Sequence, residues 1–182
     1  FNATSGTILI TTGGQSFYNI IFNDGGGSAT YQLQGVLAVA NDLTVTDGIL
    51  DTKSGLNYAI TVTRDFIQPG GRVLAQSSTV TVGRHFTADG TETQSGFNNA
   101  SLVLNGTGTL TYTISQSWAH GFNNLTVGQS GNTTTLAYSL SVFNALTVGS
   151  GTFTGATRSI FLQKTGTPLV FDPAATVSLG YL

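Results

Sequence analysis

The chain has 182 residues, enough for one domain or two small repeats with a continuous core, and only 8% of them are charged. Its formal net charge of −2 excludes the basic footprint of a nucleic-acid-binding protein, and the absence of cysteine excludes disulfides and thiolate metal sites. No apolar run is long enough for a membrane-spanning helix, so membrane insertion is not expected.

Short strands follow one another along the whole sequence. Thr, Val, Ile and Phe alternate with polar residues, and Gly, Asn, Asp and Ser separate the runs, whereas no stretch has the helical periodicity of an amphipathic helix. The clearest strands are triplets whose outer residues are apolar and point to one side. In chain order these triplets start at Leu43, Ile60, Val80, Leu102, Leu125 and Leu146. The chain is therefore predicted to be all-β.

The spacing of the triplets distinguishes between all-β architectures. The starts of successive triplets are 17, 20, 22, 23 and 21 residues apart, and the whole series predicts one spacing of about 20 residues. A spacing of about 20 residues is typical of a parallel β-solenoid (β-helix), in which every coil stacks its strands on those of the next coil. Antiparallel sandwiches space their strands about every 8–12 residues, and shorter strands between the triplets would still fit that pattern. We predict the β-solenoid, with a β-sandwich or jelly roll as the alternative.

A longer repeat divides the chain into two copies. Residues 17–22 resemble residues 122–127 at an offset of 105, whereas residues 1–7 align with residues 86–91 at an offset of about 85. The difference corresponds to about one coil, which a solenoid can gain without disturbing its stack. We therefore predict copy one at 1–85 and copy two at 86–182, in one continuous solenoid whose second copy has about one extra coil.

The two ends of the sequence match in phase. Tyr181 and Leu182 stop at the point of the repeat where Phe1 and Asn2 begin it, and neither end carries a charged or helical cap. This pattern predicts either a slice of a longer tandem array or subunits that stack end to end. These four residues are the predicted assembly ends, and the predicted partner is a second copy of the chain.

Two sequence motifs resemble those of a known group of proteins. The motifs are Phe-Asn-Asn-Leu-Thr-Val at residues 122–127 and Asn-x-Leu-Thr-Val-x-x-Gly-x-Leu at residues 41–50, each within Gly/Thr-rich sequence. The chain resembles, over nearly its whole length, the β-strand repeats of bacterial surface adhesins, autotransporter passenger regions and phage fibre or virion proteins. The resemblance implies an extracellular, cell-surface or virion location, and it supplies no catalytic residue.

Candidate catalytic and metal-binding residues are few. Asp42, Asp47 and Asp51 form the densest acidic cluster, but Asp residues that flank short strands are typical of turns, where they accept backbone hydrogen bonds. His85 and His120 lack a third ligand at any signalled position, and both are predicted to lie at loops or corners. We predict no catalytic residue, no metal and no cofactor, so a polysaccharide-degrading enzyme is the least favoured hypothesis.

Aromatic residues provide the main candidate for a ligand contact. Trp118 is a possible glycan contact, because an amphipathic ring can stack on the apolar face of a sugar. Tyr112 and Tyr138 lie in alternating segments in which they share a face with Leu, and they are predicted to point into the core. The sequence thus predicts a structural extracellular repeat protein that assembles with itself, with a glycan- or surface-binding adhesin or phage fibre segment as the alternative.

Overall fold

A computed structural model describes residues 1–26, 28–88, 96–112, 121–166 and 169–180, with the backbone alone for residues 110–112. Within these ranges the chain is a parallel β-solenoid of about seven turns with no helix, and the predicted fold class is confirmed. A helix long and apolar enough to cross a membrane is accordingly not found among the described residues.

The strands are short and run through the described chain. In order they are β1 (Thr7–Ile10), β2 (Ser16–Phe17), β3 (Ile20–Phe22), β4 (Thr30–Leu33), β5 (Leu37–Val39), β6 (Leu43–Val45), β7 (Ile49–Asp51), β8 (Ile60–Val62), β9 (Phe66–Gln68), β10 (Arg72–Leu74), β11 (Thr79–Val82), β12 (Phe86–Ala88), β13 (Ser101–Leu104), β14 (Gly108–Tyr112), β15 (Gly121–Val127), β16 (Thr133–Leu136), β17 (Leu140–Val148), β18 (Thr152–Thr154), β19 (Ile160–Leu162), β20 (Leu169–Phe171) and β21 (Thr176–Ser178).

Successive strands belong to different sheets, which distinguishes the solenoid from a sandwich. Sheet I contains β1, β4, β7 and β10. Sheet II contains β2, β5, β8, β11, β13, β15 and β17, followed by β19 and β20, which both pair with β17. Sheet III contains β3, β6, β9, β12, β14, β16, β18 and β21. Each strand therefore pairs with the strand one coil away rather than with its neighbour along the chain.

A continuous file of apolar residues shows the coil length. Along sheet II each inward residue is the register partner of the next, and the file contains Leu37, Ile60, Val80, Leu102, Leu125, Leu146 and Leu169. All but the last of these side chains are at most 1% exposed. The nearly constant interval from Ile60 to Leu146 is therefore one coil, and the predicted coil length and the inward direction of the outer triplet residues are confirmed.

One interval of the triplet series joins two different sheets. Leu43 lies in sheet III, where it pairs with Phe66, whereas Ile60 lies in sheet II, where it pairs with Leu37. The shorter interval from Leu43 to Ile60 is therefore not a coil. The sequence does not distinguish these positions, because sheets II and III bury the same alternation of apolar residues.

Phenylalanine rings form the centre of the core. The rings of Phe66 and Phe86 stack at 4.9 Å, Phe97 meets Phe86 edge-on at 5.4 Å, and Phe122 follows at 5.8 Å from Phe97. All four side chains are fully buried. Each such pair contributes about 0.5–1.5 kcal/mol beyond the burial of its surface, so the row fastens adjacent coils to each other.

The third side of the solenoid is built differently in the two halves. In the first coils it is the separate sheet I, which ends at β10. In later coils β15 and β17 run on from the third side into sheet II, and a bulge between Phe122 and Asn124 marks the bend. The predicted boundary at residues 85 and 86 lies between β11 and β12 within this stack, and the division into copies stays a prediction.

Candidate functional sites at the ends and one corner

The predicted assembly ends are described in part. Tyr181 and Leu182 lie outside the described residues, as does the possible glycan contact Trp118. Phe1 and Asn2 lie against the first coil. The amino terminus of Phe1 donates to the carbonyl oxygen of Ile21 at 2.7 Å, and Asn2 forms a parallel bridge with Asn23.

Phe1 and Asn2 thus continue sheet III by one short pairing beyond β3. The ring of Phe1 stacks on that of Phe22 at 5.5 Å. Apolar side chains nevertheless remain exposed at this end, with exposed fractions of 60% for Leu9, 72% for Tyr18 and 53% for Ile21. Apart from the bridge to Asn2, β1, β2 and β3 have no strand on their outer edges among the described residues.

At the opposite end, residues of an inward file are exposed. Strands β19, β20 and β21 are the last members of their sheets within the described chain. Leu169 is 36% exposed and Phe171 is 41% exposed, although Leu146 and Val148, which occupy the same files one coil earlier, are fully buried. The last described coil therefore presents unpaired strand edges and a partly exposed core file.

A ladder of side-chain acceptors lies at the corner between sheets II and III. In each of the first four coils, one side chain accepts a hydrogen bond from the corner N–H of the next coil. Asn19 Oδ1 accepts from Asp42 N at 3.0 Å, and Asp42 Oδ1 accepts from Asp65 N at 3.2 Å. Asp65 Oδ1 accepts from His85 N at 3.1 Å, and His85 Nδ1 accepts from Thr109 N at 3.0 Å. We call Asn19, Asp42, Asp65 and His85 the corner ladder.

Charged side chains surround the corner ladder. Arg84 Nε donates to Asp65 Oδ1 at 2.7 Å, and its Nη2 donates to Asp65 Oδ2, forming a bidentate pair. These side-chain hydrogen bonds lower the pKa of Asp65 and raise that of Arg84 from their usual values. Arg64 Nη1 donates to Asn41 Oδ1 at 2.7 Å, and its Nε lies 3.9 Å from Asp42 Oδ1.

The sequence interpretation did not identify this ladder, although a signal was present. Asn19, Asp42 and Asp65 recur at equal intervals, and His85 follows after a slightly shorter one. In the sequence, Asp42 groups with Asp47 and Asp51, its neighbours along the chain. The relevant neighbours lie one coil away, because parallel stacking brings equivalent corner positions together.

The acidic cluster predicted from sequence separates in the structure. Asp42 belongs to the corner ladder, and Asp47 Oδ1 accepts from Gly48 N at 2.9 Å at the next corner. Asp51 lies on the outer face of sheet I, where its oxygens accept from Lys53 N at 2.9 Å and from a Gln side chain. The expectation that these carboxylates accept backbone hydrogen bonds at turns is confirmed.

Asp51 is part of a polar network that spans three coils. Gln32 Nε2 donates to Asp51 Oδ2 at 3.0 Å, and Gln76 Nε2 donates to Asp51 Oδ1 at 3.3 Å. Gln34 Nε2 donates to Gln32 Oε1 at 3.2 Å, and Lys53 Nζ donates to Gln34 Oε1 at 2.6 Å. The groups are bonded to one another, so their direct effect is to join the coils of sheet I. Across the described residues, no group of three His, Asp or Glu side chains could hold a metal ion.

Two of the remaining predicted positions have clear outcomes. His85 lies at a corner, as predicted, whereas His120 lies outside the described residues. The inward direction predicted for Tyr138 is wrong: its side chain is 43% exposed, and the Arg158 guanidinium carbon lies 5.6 Å from its ring centroid. The reason is that β16 ends at Leu136 and β17 begins at Leu140, so Tyr138 lies at a corner and not within a strand. The side chain of Tyr112 is outside the described part.

The fold defines the chain as a parallel β-solenoid. No protein-family model matches the sequence, and neither a curated protein nor a solved structure is significantly similar to the chain.

Proposed function

We propose that the protein is a structural rod module whose stack is extended at its ends by further coils of the same kind. A second copy of the chain supplies these coils in a head-to-tail fibre, and neighbouring repeats supply them where the rod is a segment of a longer surface protein. The observation that carries the proposal is the exposure of Leu169 and Phe171 in files that inner coils bury completely.

The physical argument rests on strand edges and apolar area. An open edge presents a row of unpaired N–H and C=O groups and acts as a template for another strand. The exposed side chains of Leu9, Ile21, Leu169 and Phe171 add apolar surface beside these edges. Burial of such surface stabilises association by roughly 25 cal/mol per Å² before the entropic costs of binding.

The dimensions suit a rod. Coils in a parallel stack are about 4.8 Å apart, so about seven turns make a rod of roughly 34 Å. The resemblance to adhesin, autotransporter and phage fibre repeats supports an extracellular, cell-surface or virion location. The glycan contact at Trp118 stays a prediction from sequence.

The experiment is electron microscopy and sedimentation velocity of the full chain over a range of concentrations. We expect fibres or concentration-dependent oligomers whose subunit repeat is close to the rod length. In the double variant Leu169→Lys/Phe171→Lys, charges at the end of the stack should abolish assembly, because edge lysines oppose strand addition. Tyr138→Lys, at an exposed corner, is the matched control and should assemble normally.

Circular dichroism of each variant separates loss of assembly from loss of the fold. If the double variant unfolds, Ile21→Lys at the opposite end provides the same test, since Ile21 is 53% exposed in β3. A wild-type chain that stays monomeric at the highest attainable concentration contradicts head-to-tail self-assembly. Equal assembly of wild type and end variants contradicts the role of the open edges.

A further inference from the structure

We propose that His85 makes the joint between the fourth and fifth coils sensitive to protonation. All four members of the corner ladder accept a hydrogen bond from a backbone N–H, but they do so through different chemical groups. Asn19 accepts through an amide oxygen, Asp42 and Asp65 through carboxylate oxygens, and His85 through a ring nitrogen. Histidine is the side chain that ordinarily changes charge between pH 5 and 8, whereas carboxylates titrate at lower pH.

The hydrogen bond fixes the protonation state that the ladder requires. His85 Nδ1 accepts from Thr109 N at 3.0 Å, and this hydrogen bond requires the nitrogen to carry no proton. In imidazolium both ring nitrogens are donors. Protonation therefore replaces an acceptor with a donor that faces another donor, and the N–H of Thr109 loses its partner.

The backbone at this joint is closely packed. A Cβ atom at Gly108 would lie 1.9 Å from the carbonyl oxygen of Arg84, and one at Gly106 would lie 1.6 Å from that of Gly83. The two coils are thus in direct backbone contact at two positions just before the hydrogen bond between His85 and Thr109. Strain at Thr109 is consequently passed to the pairing of β12 with β14, whose register begins just beyond this residue.

Among the described residues, the charged groups around His85 come from its own coil and from the preceding one. Arg84 precedes it in the chain, and Asp65 accepts from both Arg84 and the backbone N–H of His85. Arg64 and Asp42 lie one step further along the corner. From the described part of the following coil, the N–H of Thr109 faces the ring. The hydrogen bond from Thr109 N to His85 Nδ1 is therefore formed when His85 is neutral and broken when it is protonated.

The test is native-state hydrogen exchange of the Thr109 amide in the full chain, expressed as a protection factor relative to the intrinsic rate at each pH. We expect protection to fall roughly tenfold between pH 8 and pH 5, as befits the loss of one hydrogen bond. The midpoint of this fall must coincide with the titration of the His85 ring observed by NMR. The Leu102 amide lies in sheet II of the same coil, and its protection factor should be the same at both pH values.

Three variants make the result decisive. His85→Asn supplies the acceptor that Asn19 uses in the first coil, and it should keep Thr109 protected at both pH values. His85→Ala should lose protection at both, with circular dichroism confirming the fold. His120→Asn removes the other histidine, which lies outside the described residues, and should retain the wild-type pH response. Unchanged wild-type protection at pH 5, or an equal pH response in His85→Asn, overturns the proposal.

Discussion

The first four coils and the later ones use different chemistry to hold the same stack. Residues 24–92 contain seven of the eight acidic and four of the six basic residues. The charged residues between positions 93 and 182 are Arg158, Lys164 and Asp172. In the first coils a corner is joined by charged groups, such as the bidentate pair of Asp65 and Arg84.

In the later coils most of these hydrogen bonds join neutral side chains, and Lys164 Nζ, which donates to Asn144 Oδ1, is a charged exception. Asn132 Nδ2 donates to the carbonyl oxygen of Asn105 at 3.1 Å, and Thr107 Oγ1 donates to Asn132 Oδ1 at 3.2 Å. Asn144 Nδ2 donates to Asn124 Oδ1 at 2.6 Å. The difference teaches that the stack needs satisfied backbone and side-chain polar groups at its corners, and that the charge of the satisfying group is free to vary.

The largest expected effect comes from separating the two regions at their joint. In Gly106→Ala the new Cβ would lie 1.6 Å from the carbonyl oxygen of Gly83, so the coils must move apart. We expect the free energy of unfolding to fall by more than about 3 kcal/mol, or the chain not to fold. Chemical denaturation followed by circular dichroism measures the change.

Gly35→Ala is the matched control for this substitution. Its Cβ would meet only Thr12 Oγ1, at 3.6 Å, which is an ordinary contact. The free energy of unfolding should change by no more than about 0.5 kcal/mol. Equal stability of Gly106→Ala and Gly35→Ala would show that the two regions are not in close backbone contact at this corner.

A smaller effect should distinguish the charged corner from the neutral one. Asp65→Ala removes the partner of Arg84 and the acceptor for His85 N, and should lower the free energy of unfolding at pH 7 by about 1–3 kcal/mol. Asp65→Asn retains an oxygen for His85 N and should cost less. Thermal or urea unfolding at fixed pH provides the measurement.

The acid dependence of this corner has a definite sign. Because Arg84 lowers the pKa of Asp65 in the folded chain, the stabilisation from Asp65 is present above the ordinary carboxyl pKa of about 3.9. It is lost as the pH falls through the lower pKa of the folded state. Wild type should therefore lose more stability than Asp65→Asn between pH 5 and pH 2, and parallel curves would contradict the assignment.

The smallest effect is expected at the neutral corner. Asn132→Ala removes two exposed hydrogen bonds, to Asn105 and from Thr107, and should lower the free energy of unfolding by about 0.5–1.5 kcal/mol. Ser130→Ala, at an exposed position of the same corner, is the control. The difference between Asn132→Ala and wild type should stay the same between pH 5 and pH 2. A difference that varies with pH would contradict the prediction that this corner is joined by neutral groups.

Much of the fold followed from local pattern, because the alternation of apolar residues determines which side chains point inward. The predicted inward direction of Leu102 and Leu125 is correct for that reason. The pattern could not assign Leu43 and Ile60 to their sheets, since both sheets bury the same alternation. It also failed at Tyr138, where two short strands separated by a corner look like one longer strand.

The corner ladder was beyond the reach of local pattern for a different reason. Its hydrogen bonds join positions that are far apart in the chain, so each partner is fixed by the length of an intervening coil. Coil lengths vary, and Asn or Asp at a turn has an adequate explanation within its own turn. Only the register of the stack shows that Asp65 faces the backbone of His85.

The long strand β17 affects how coils can separate from the stack. Its beginning carries β19, its end carries β20, and nearly its whole length lies on β15. One unbroken strand forms two sides of this coil. Neither side can therefore separate from the neighbouring coils without breaking hydrogen bonds of the other side. In the first coil, by contrast, residues 11–15 separate β1 from β2, and one side can open alone. A pulling force or a protease would therefore open the first coil one side at a time, whereas the two sides formed by β17 would open together.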